Sequence, residues 1–270
     1  MRFLVFEKLS DLLKGEESLE HHHSYDTLFG VEVTLNDPML LRRLTVTEYE
    51  KISSLLASYE KTVHLPFYGL NLGCFDRWIA DYSEQTLLEG IVFCHRIGAS
   101  RAVIHTTIPS YLGEDTRPRW TSRFLDRLEH LENYADRYGV TLVWENTYER
   151  DFSLFDAMIT RVPSLKFCLD VGHVHCFAHR PFTDFGNHLG SRIIHMHLHD
   201  NDGIDDRHWP IGEGKINFAA VVGMLRHMAV DTIVFELAPD DFRTSMPWIA
   251  HYFRALFQPL PHKRENPLSL

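Results

Sequence analysis

The sequence predicts an α/β protein folded as a single (β/α)8 barrel, in which eight parallel strands alternate with helices. Eight short apolar runs have the length and composition of β-strands. Segments of helical period separate them; in the clearest, Trp120, Phe124 and Leu128 recur every four residues and Gly139 ends the helix. Strict alternation indicates right-handed βαβ units, and eight units in about 250 residues fit a closed barrel better than an open sheet.

Each strand candidate is short, as expected for a buried parallel strand. In chain order the candidates are residues 2–6, 30–35, 61–65, 101–106, 140–145, 165–170, 192–197 and 232–236. The barrel is predicted to occupy residues 1–257, and the proline-bearing, polar tail at 258–270 to lie outside it. No Gly-x-Gly-x-x-Gly or Walker loop follows any of these runs, which disfavours a nucleotide cofactor.

Composition and charge restrict the partners of the chain. Its 270 residues include 27 Lys and Arg against 37 Asp and Glu, a formal net charge of −10. Because DNA binding depends on cationic side chains that neutralise phosphates, this balance favours a small-molecule substrate over DNA. Four cysteines without a CxxC pair indicate buried thiols in a reducing cytosol and disfavour a cysteine-rich zinc site. With no signal peptide or membrane span in the sequence, we expect a cytoplasmic protein without membrane contact.

Six successive strand candidates end in, or next to, a side chain that can bind a metal ion. These side chains are His64, His105, Glu145, Asp170, His197 and Glu236. The carboxyl ends of the strands of a (β/α)8 barrel form one mouth, so the six groups are expected to converge there. His173 follows Asp170 by three residues, and the Asp206/His208 pair raises the total to nine candidate ligands.

The richest of these segments is residues 193–218, which contains four histidines, four aspartates and a glutamate. Such a concentration of polar groups at a strand end is costly unless a metal ion or other partners satisfy them. His195 and His199 share a strand face with His197, and we interpret both as structural groups or as supports for it. The aspartates Asp200, Asp202 and Asp205 are interpreted as turn residues that hydrogen-bond the loop.

The candidate ligands predict more than one ion. A zinc ion takes about four ligands, and neighbouring ions share carboxylates, so nine groups can hold two or three ions. All nine are His, Asp or Glu without a thiolate, which favours Zn²⁺ or Mn²⁺ and also suits Mg²⁺ at the carboxylate-rich positions. We therefore expect divalent metal ions as cofactors, zinc first.

Seven motifs give the chain a resemblance to a known family. In order they are HLPFYGLNL (64–72), VIH (103–105), WENT (144–147), LDVGH (169–173), HLHDN (197–201), DRHWPIGEG (206–214) and FEL (235–237). Together they resemble the endonuclease IV type of AP endonuclease (AP endonuclease family 2). That family belongs to the xylose isomerase-like TIM-barrel superfamily, which also contains the sugar phosphate isomerase/epimerase group. The resemblance implies that the nine groups are metal ligands and that Glu145 is the carboxylate that bridges two ions.

The resemblance leaves three activities open. The first strand lacks the Gly-x-His-[Val/Ile]-Ser opening of DNA-cutting members and the chain is acidic, so a DNA repair enzyme is the second alternative. The isomerase/epimerase group implies one ion held by Glu145, Asp170, His197 and Glu236, with the two glutamates as an acid/base pair. That chemistry does not require His64, His105, Asp206 or His208. The main prediction is therefore a hydrolase whose two or three ions activate water against a phosphoester, or a related bond, of a small sugar-like or phosphorylated substrate.

Roles in catalysis or substrate binding are predicted for four further residues, and a location in a loop is predicted for one segment. Arg207 is expected to take up charge on the leaving group, alongside Glu145 and Glu236 as catalytic residues. The rings of Tyr68 and Trp209 are candidates for stacking on a substrate ring, and Lys215 for holding a substrate anion. The three consecutive histidines at 21–23 are expected in a solvated loop.

Overall fold

The computed structural model describes residues 1–24 and 27–256, so the predicted tail at 258–270 lies outside the described residues. Eight parallel strands close into a barrel, which confirms the predicted (β/α)8 fold. The strands are β1 Arg2–Lys8, β2 Gly30–Thr34, β3 Lys61–His64, β4 Arg101–His105, β5 Thr141–Glu145, β6 Lys166–Asp170, β7 Ile193–Leu198 and β8 Thr232–Phe235. Each pairs with the next in the chain, and β8 pairs with β1 to close the ring.

Helices surround the barrel and follow the strands in order. They are α1 Leu9–Leu12, α2 Pro38–Arg43, α3 Val46–Leu55, α4 Arg77–Arg96, α5 Arg117–Arg137, α6 Ser153–Arg161, α7 Val171–Phe177, α8 Phe182–Leu189, α9 Phe218–Leu225 and α10 Pro239–Phe253. Short 3-10 helices span Glu16–His22, Gly190–Arg192 and Arg254–Leu256, and the pair His23–Ser24 and Thr27–Leu28 is antiparallel. The predicted periodicity is confirmed in α5, which buries Trp120, Phe124 and Leu128.

The apolar residues form two layers because successive side chains of a strand point to opposite faces. The larger layer packs between strands and helices and includes Phe3 and Val5 of β1. The smaller layer fills the barrel with Val103, Val143 and Cys168. Two residues further along β4, β5 and β6 lie the candidate ligands. The inner apolar layer is therefore the floor of the mouth: it lies directly below the polar side chains at the carboxyl ends of the strands.

Several local expectations are corrected. The run 232–236 ends as a strand at Phe235, so Glu236 follows β8, although its N–H still donates to the Leu198 carbonyl (3.1 Å). The expectation of a solvated loop is wrong for His21 and His22, which are buried. All four cysteines are free, but Cys74 and Cys176 are partly exposed while Cys94 and Cys168 are buried. Within the described residues, no helix is long and apolar enough to cross a membrane.

An ion pair ties together the end of the barrel opposite the mouth. The Arg101 guanidinium, at the start of β4, donates to both carboxylate oxygens of Asp231 (2.6 and 3.1 Å) and to the Thr232 hydroxyl (2.8 Å). Arg2 donates to the same carboxylate (2.9 Å). Burial acts to raise the pKa of the Asp231 carboxyl, but hydrogen bonds from Arg101, Thr232 and Arg2 hold that pKa well below its usual value. Asp231 thus links β1, β4 and β8.

We predict that Asp231→Asn lowers the free energy of unfolding at pH 7 by about 1 kcal/mol. This is the contribution of a hydrogen bond to a charged group, reduced because the Asp231 carboxylate is half exposed to water. Since the folded-state pKa is depressed, this stabilisation is present above the ordinary Asp pKa of about 3.9 and is lost as the pH falls through the folded-state value. Urea unfolding of both proteins between pH 7 and pH 3 measures the difference. Asp126→Asn, which removes an exposed partner of Arg161, is the control. A difference that does not shrink at low pH would contradict the role of the ion pair.

Candidate metal centre

The Glu145 carboxylate, at the end of β5, is the centre of the mouth. Its Oε2 lies 3.1 Å from His64 Nε2 and 3.1 Å from His105 Nε2. Its Oε1 lies 3.2 Å from His197 Nδ1 and 3.3 Å from His173 Nδ1. Glu145 is fully buried, so these four imidazoles account for its polar surroundings. One carboxylate therefore joins ligand candidates from β3, β4, β7 and α7.

A second group shares Glu145 and adds Asp170, His197 and Glu236. The four ligand atoms all lie within 4.8 Å of one another, and all four residues are buried. His197 Nδ1 is 3.2 Å from Glu236 Oε1 and 3.9 Å from Asp170 Oδ2. The structure thus brings together the four groups that the isomerase/epimerase alternative requires.

A third group contains His173, His199, Asp206 and His208, again within 4.8 Å of one another. Asp206 Oδ2 lies 3.1 Å from His173 Nε2 and 3.2 Å from His208 Nε2, and Asp206 Oδ1 lies 3.3 Å from His199 Nε2. The His199 and His208 rings stack with centroids 3.8 Å apart. The sequence interpretation gave His199 no ligand role, although its two-residue spacing from His197 was the signal that could have shown it.

The turn from β6 into α7 orients two of these candidate ligands. Asp170 caps α7: its Oδ1 accepts the His173 N–H (2.6 Å), and its Oδ2 remains directed at the mouth. A Cβ on Gly172 would overlap the His199 imidazole, so only glycine leaves room for that ring. Capping and close approach explain why the sequence Leu-Asp-Val-Gly-His occurs at this turn.

The loop after β7 carries Asp206 and His208, and Asp200 fixes its shape. The Asp200 carboxylate accepts the N–H groups of Gly212 (3.0 Å), Gly214 (2.9 Å) and Ile216 (3.1 Å). Backbone hydrogen bonds between Asp200 and Trp209 fold the two arms of the loop onto each other. These contacts confirm the interpretation of Asp200 as a loop hydrogen bonder.

Burial and neighbouring charges have opposing effects on the pKa of Glu145, His173 and His208. Burial acts to raise the pKa of Glu145, but the charges of His197 and His105 hold it well below its usual range. Burial acts to lower the pKa of His173, but the Asp170 charge and the Asp206 hydrogen bond raise it well above its usual value. For His208 the same opposition, with Asp206 as the hydrogen-bond partner, raises the pKa to about 9.

The other predicted site residues have different surroundings. The Arg207 guanidinium pairs with Asp205 (2.8 Å) and lies over the Trp209 ring, 5.8 Å from its centroid. Tyr68 is exposed and contacts the Phe67 ring, and Lys215 is exposed. The structure therefore does not bring these four side chains into the ligand groups, and their roles stay predictions.

Two buried glutamates at the centre were not identified from the sequence. Glu32 of β2 lies beneath the mouth: its Oε1 is 2.9 Å from His197 Nε2, and its Oε2 is 3.2 Å from His195 Nε2. Glu149, after β5, accepts hydrogen bonds from the Thr147 N–H (2.5 Å) and the Thr106 hydroxyl, and burial raises its pKa. An acid within the apolar run 30–35 was the signal available for Glu32.

Comparison with known proteins places the fold among relatives of known structure. The TTHB071 protein from Thermus thermophilus, soaked with ZnCl2, superposes with a TM-score of 0.80 at 27% identity and covers 94% of this chain and 99% of its own. A D-tagatose 3-epimerase-like protein superposes with a TM-score of 0.78 at 22% identity, covering 95% of this chain and 98% of its own.

At the sequence level, the uncharacterised protein MJ1311 of Methanocaldococcus jannaschii is 26% identical over 188 residues. The match takes in 65% of this chain and 63% of that relative, so it spans somewhat less than two thirds of the relative's length. The family model described as the xylose isomerase-like TIM barrel matches residues 28–252. This match confirms the family resemblance that the motifs predicted: the chain belongs to the xylose isomerase-like TIM-barrel family.

Proposed function

We propose that this chain is a divalent-metal hydrolase that acts on a phosphoester, or a related bond, of a small sugar-like or phosphorylated molecule. The observation that carries the proposal is the position of Glu145. Each of its carboxylate oxygens faces two imidazoles, and the carboxylate belongs both to the His64 side and to the Asp170/Glu236 side of the mouth. This is the arrangement of a carboxylate shared by neighbouring ions.

Unpartnered buried atoms support metal binding at the mouth. Asp170 Oδ2, Asp206 Oδ1 and His199 Nε2 are buried and have no hydrogen-bond partner among the described residues. His199 Nε2 lies 3.4 Å from the first and 3.3 Å from the second. A buried polar atom left unpartnered costs on the order of 1–3 kcal/mol, and a cation between such atoms removes the cost.

The imidazole tautomers also fit metal binding. The Nδ1 atoms of His64, His173 and His208 lie 2.9, 2.8 and 2.9 Å from the backbone oxygens of Leu65, Asn146 and Glu236. A carbonyl oxygen only accepts, so each Nδ1 must carry the hydrogen. In the neutral ring, Nε2 then presents its lone pair to the ligand group. The backbone thus presets three rings as ligands.

Glu32 acts on His197 from the opposite side. Its Oε1 lies 2.9 Å from His197 Nε2, and this contact with a carboxylate favours a proton on Nε2, so that Nδ1 presents its lone pair to Glu145, Asp170 and Glu236. The Thr62 hydroxyl donates to Glu32 Oε2 (2.6 Å) and keeps the carboxylate in place. Glu32 is thus a positioning residue, buried below the reacting groups.

The donor set favours zinc. Three groups offer places for two or three ions: His64 and His105 with Glu145, the four-residue group around His197, and the four-residue group around Asp206. Mn²⁺ and Mg²⁺ are the alternatives to Zn²⁺ at these places. The ZnCl2 soak of the TTHB071 protein supports this choice. When bound, such ions act as Lewis acids that activate water and stabilise charge on a phosphoryl group.

The protein's own residues favour hydrolysis over proton transfer through Glu145. A general base must reach a substrate carbon with a free oxygen. Glu145 is fully buried, and both of its oxygens face imidazoles. The most accessible candidate ligands of the mouth are His208 (36% exposed), Asp206 (23% exposed) and His105 (15% exposed). We infer that substrate approaches the centre past these three side chains.

Sugar isomerisation or epimerisation is the second candidate. The structural neighbour described as D-tagatose 3-epimerase-like and the compact group of Glu145, Asp170, His197 and Glu236 favour it. The comparisons support this alternative better than they support hydrolysis. In this reaction Glu145 and Glu236 would exchange a proton with a carbon next to a carbonyl. DNA stays disfavoured as a substrate by the acidic charge of the chain.

We predict that His105→Ala lowers kcat/KM for 4-nitrophenyl phosphodiesters by about 100-fold, the scale of losing a group that stabilises charge at the reacting centre. The mouth of the wild type should contribute two or three zinc equivalents to the elemental analysis, and that of the variant one fewer. His227→Ala removes an exposed imidazole as the control. If His105→Ala retains hydrolysis, or if the mouth of the wild type holds one ion and the protein exchanges deuterium from D2O into ketohexoses, epimerisation replaces hydrolysis.

We also predict that Glu32→Gln weakens zinc binding at the mouth by about 10- to 100-fold, because the neutral amide no longer fixes the His197 tautomer. Competition with a chromogenic chelator measures the affinity. Glu132→Gln is the matched control, since Glu132 accepts a hydrogen bond from the Trp144 ring away from the mouth. Equal affinities for the two variants would show that Glu32 does not position His197.

A further inference from the structure

A separate group of potential ligands lies on the outer face of the barrel. Glu7 of β1 shares its strand face with Phe3 and Val5, which pack in the layer between strands and helices. The ligands of the mouth follow the inner layer of Val103, Val143 and Cys168. The wall of the barrel therefore separates Glu7 from the metal centre.

Two consecutive histidines converge on Glu7. His21 Nε2 lies 2.8 Å and His22 Nε2 lies 3.5 Å from the same oxygen, Glu7 Oε1. Ligand atoms of the three residues lie within 4.8 Å of one another, and all three side chains are almost inaccessible to water. Both histidines belong to the 3-10 helix Glu16–His22, so this contact holds the segment that follows α1 against β1.

The tautomer of His22 determines whether His22 Nε2 faces Glu7 Oε1 with a hydrogen or with a lone pair. Its Nδ1 lies 2.9 Å from the Gly30 oxygen and 3.2 Å from the Phe29 oxygen, so Nδ1 donates. In the neutral ring, Nε2 then presents a lone pair toward Glu7. His22 Nε2 and Glu7 Oε1 are both buried without a hydrogen-bond partner among the described residues. Two acceptors facing each other repel unless a cation lies between them.

The surroundings keep the group in this arrangement. The His21 ring packs edge-on against Phe242 of α10 (5.9 Å between centroids), and the His22 ring packs edge-on against Tyr59 (5.8 Å). Burial acts to raise the pKa of the Glu7 carboxyl, but the adjacent imidazoles of His21 and His22 hold it below its usual value. An ionised carboxylate and oriented rings are thus preset in an apolar setting.

We propose that Glu7, His21 and His22 form an additional divalent-cation site, selective for zinc, that fastens the segment after β1 to the outer wall of the barrel. Two imidazoles and one carboxylate are a recognised zinc ligand set. The site is independent of the proposed hydrolysis, since it shares no residue with the mouth. The competing explanation is an imidazolium ion pair with Glu7, which needs no metal.

Zinc counting tests the site. The full chain is loaded with Zn²⁺, dialysed against a weak chelator and analysed for zinc per chain. Glu7→Gln and His22→Gln should each contain one equivalent less than the wild type, and His227→Gln, which changes an exposed histidine, should match the wild type. Equal zinc in all four proteins would overturn the proposal, as would a variant that loses stability while keeping its zinc.

A second variant separates this outcome from the function of the mouth. Asp206→Asn removes a ligand of the third group and should leave the Glu7 site filled, so the double variant with Glu7→Gln should lose the sum of the two single losses. The one-equivalent effect of Glu7→Gln holds whether the mouth binds one ion or three.

Crystals of the wild-type protein soaked with ZnCl2 give a test that does not depend on a variant folding. An anomalous difference peak at the zinc edge, bounded by Glu7, His21 and His22, is the expected result. A crystal that shows zinc at the mouth and none beside Glu7 would refute the outer site while leaving the mouth proposal intact.

Discussion

The contact of one carboxylate, Glu145, with four imidazoles is the constraint on which the mouth of the barrel depends. The rings come from β3, β4, β7 and α7, so their convergence requires the whole ring of strands to be closed and in register. Such a group is expensive to bury, because each polar atom loses water and must find a partner. Much of the remaining architecture can be understood as support for this one group.

That support is arranged in layers. The apolar filling of Val103, Val143 and Cys168 excludes water from below, and Glu32 lies between this floor and the mouth as the partner of His197. Asp200 orders the loop that brings Asp206 and His208 over the centre. Each support acts on the orientation of a ligand, and orientation decides whether a lone pair faces an ion or the protein.

Strand periodicity and strand ends were enough to predict the barrel and the convergence of the ligand candidates. His64, His105 and Glu145 each end a strand, and in a parallel barrel that position alone determines the direction of the side chain. The inner partners follow a different rule. Glu32 contacts His197, which lies far from it in the sequence, and Glu7 contacts His21, which lies in a 3-10 helix. A contact of this kind depends on tertiary packing, so strand-end reasoning finds the candidate ligands but not the groups that orient them. His199 lies between the two cases, since its spacing indicates the face that it shares with His197 but not its place in the group of Asp206.

The number of ions at the mouth also determines the charge of the substrate that it can attract. The ligand groups contain four carboxylates, those of Glu145, Asp170, Asp206 and Glu236, and the histidine ligands are neutral when they bind metal. One divalent ion leaves the mouth with a net negative charge, which suits an uncharged sugar and repels a phosphate. Two ions neutralise the four carboxylates, and a third makes the mouth positive, which attracts an anionic phosphoester. Hydrolysis of a phosphorylated substrate is therefore consistent with a multinuclear site on electrostatic grounds. A single-ion site and sugar epimerisation are consistent with each other on the same grounds.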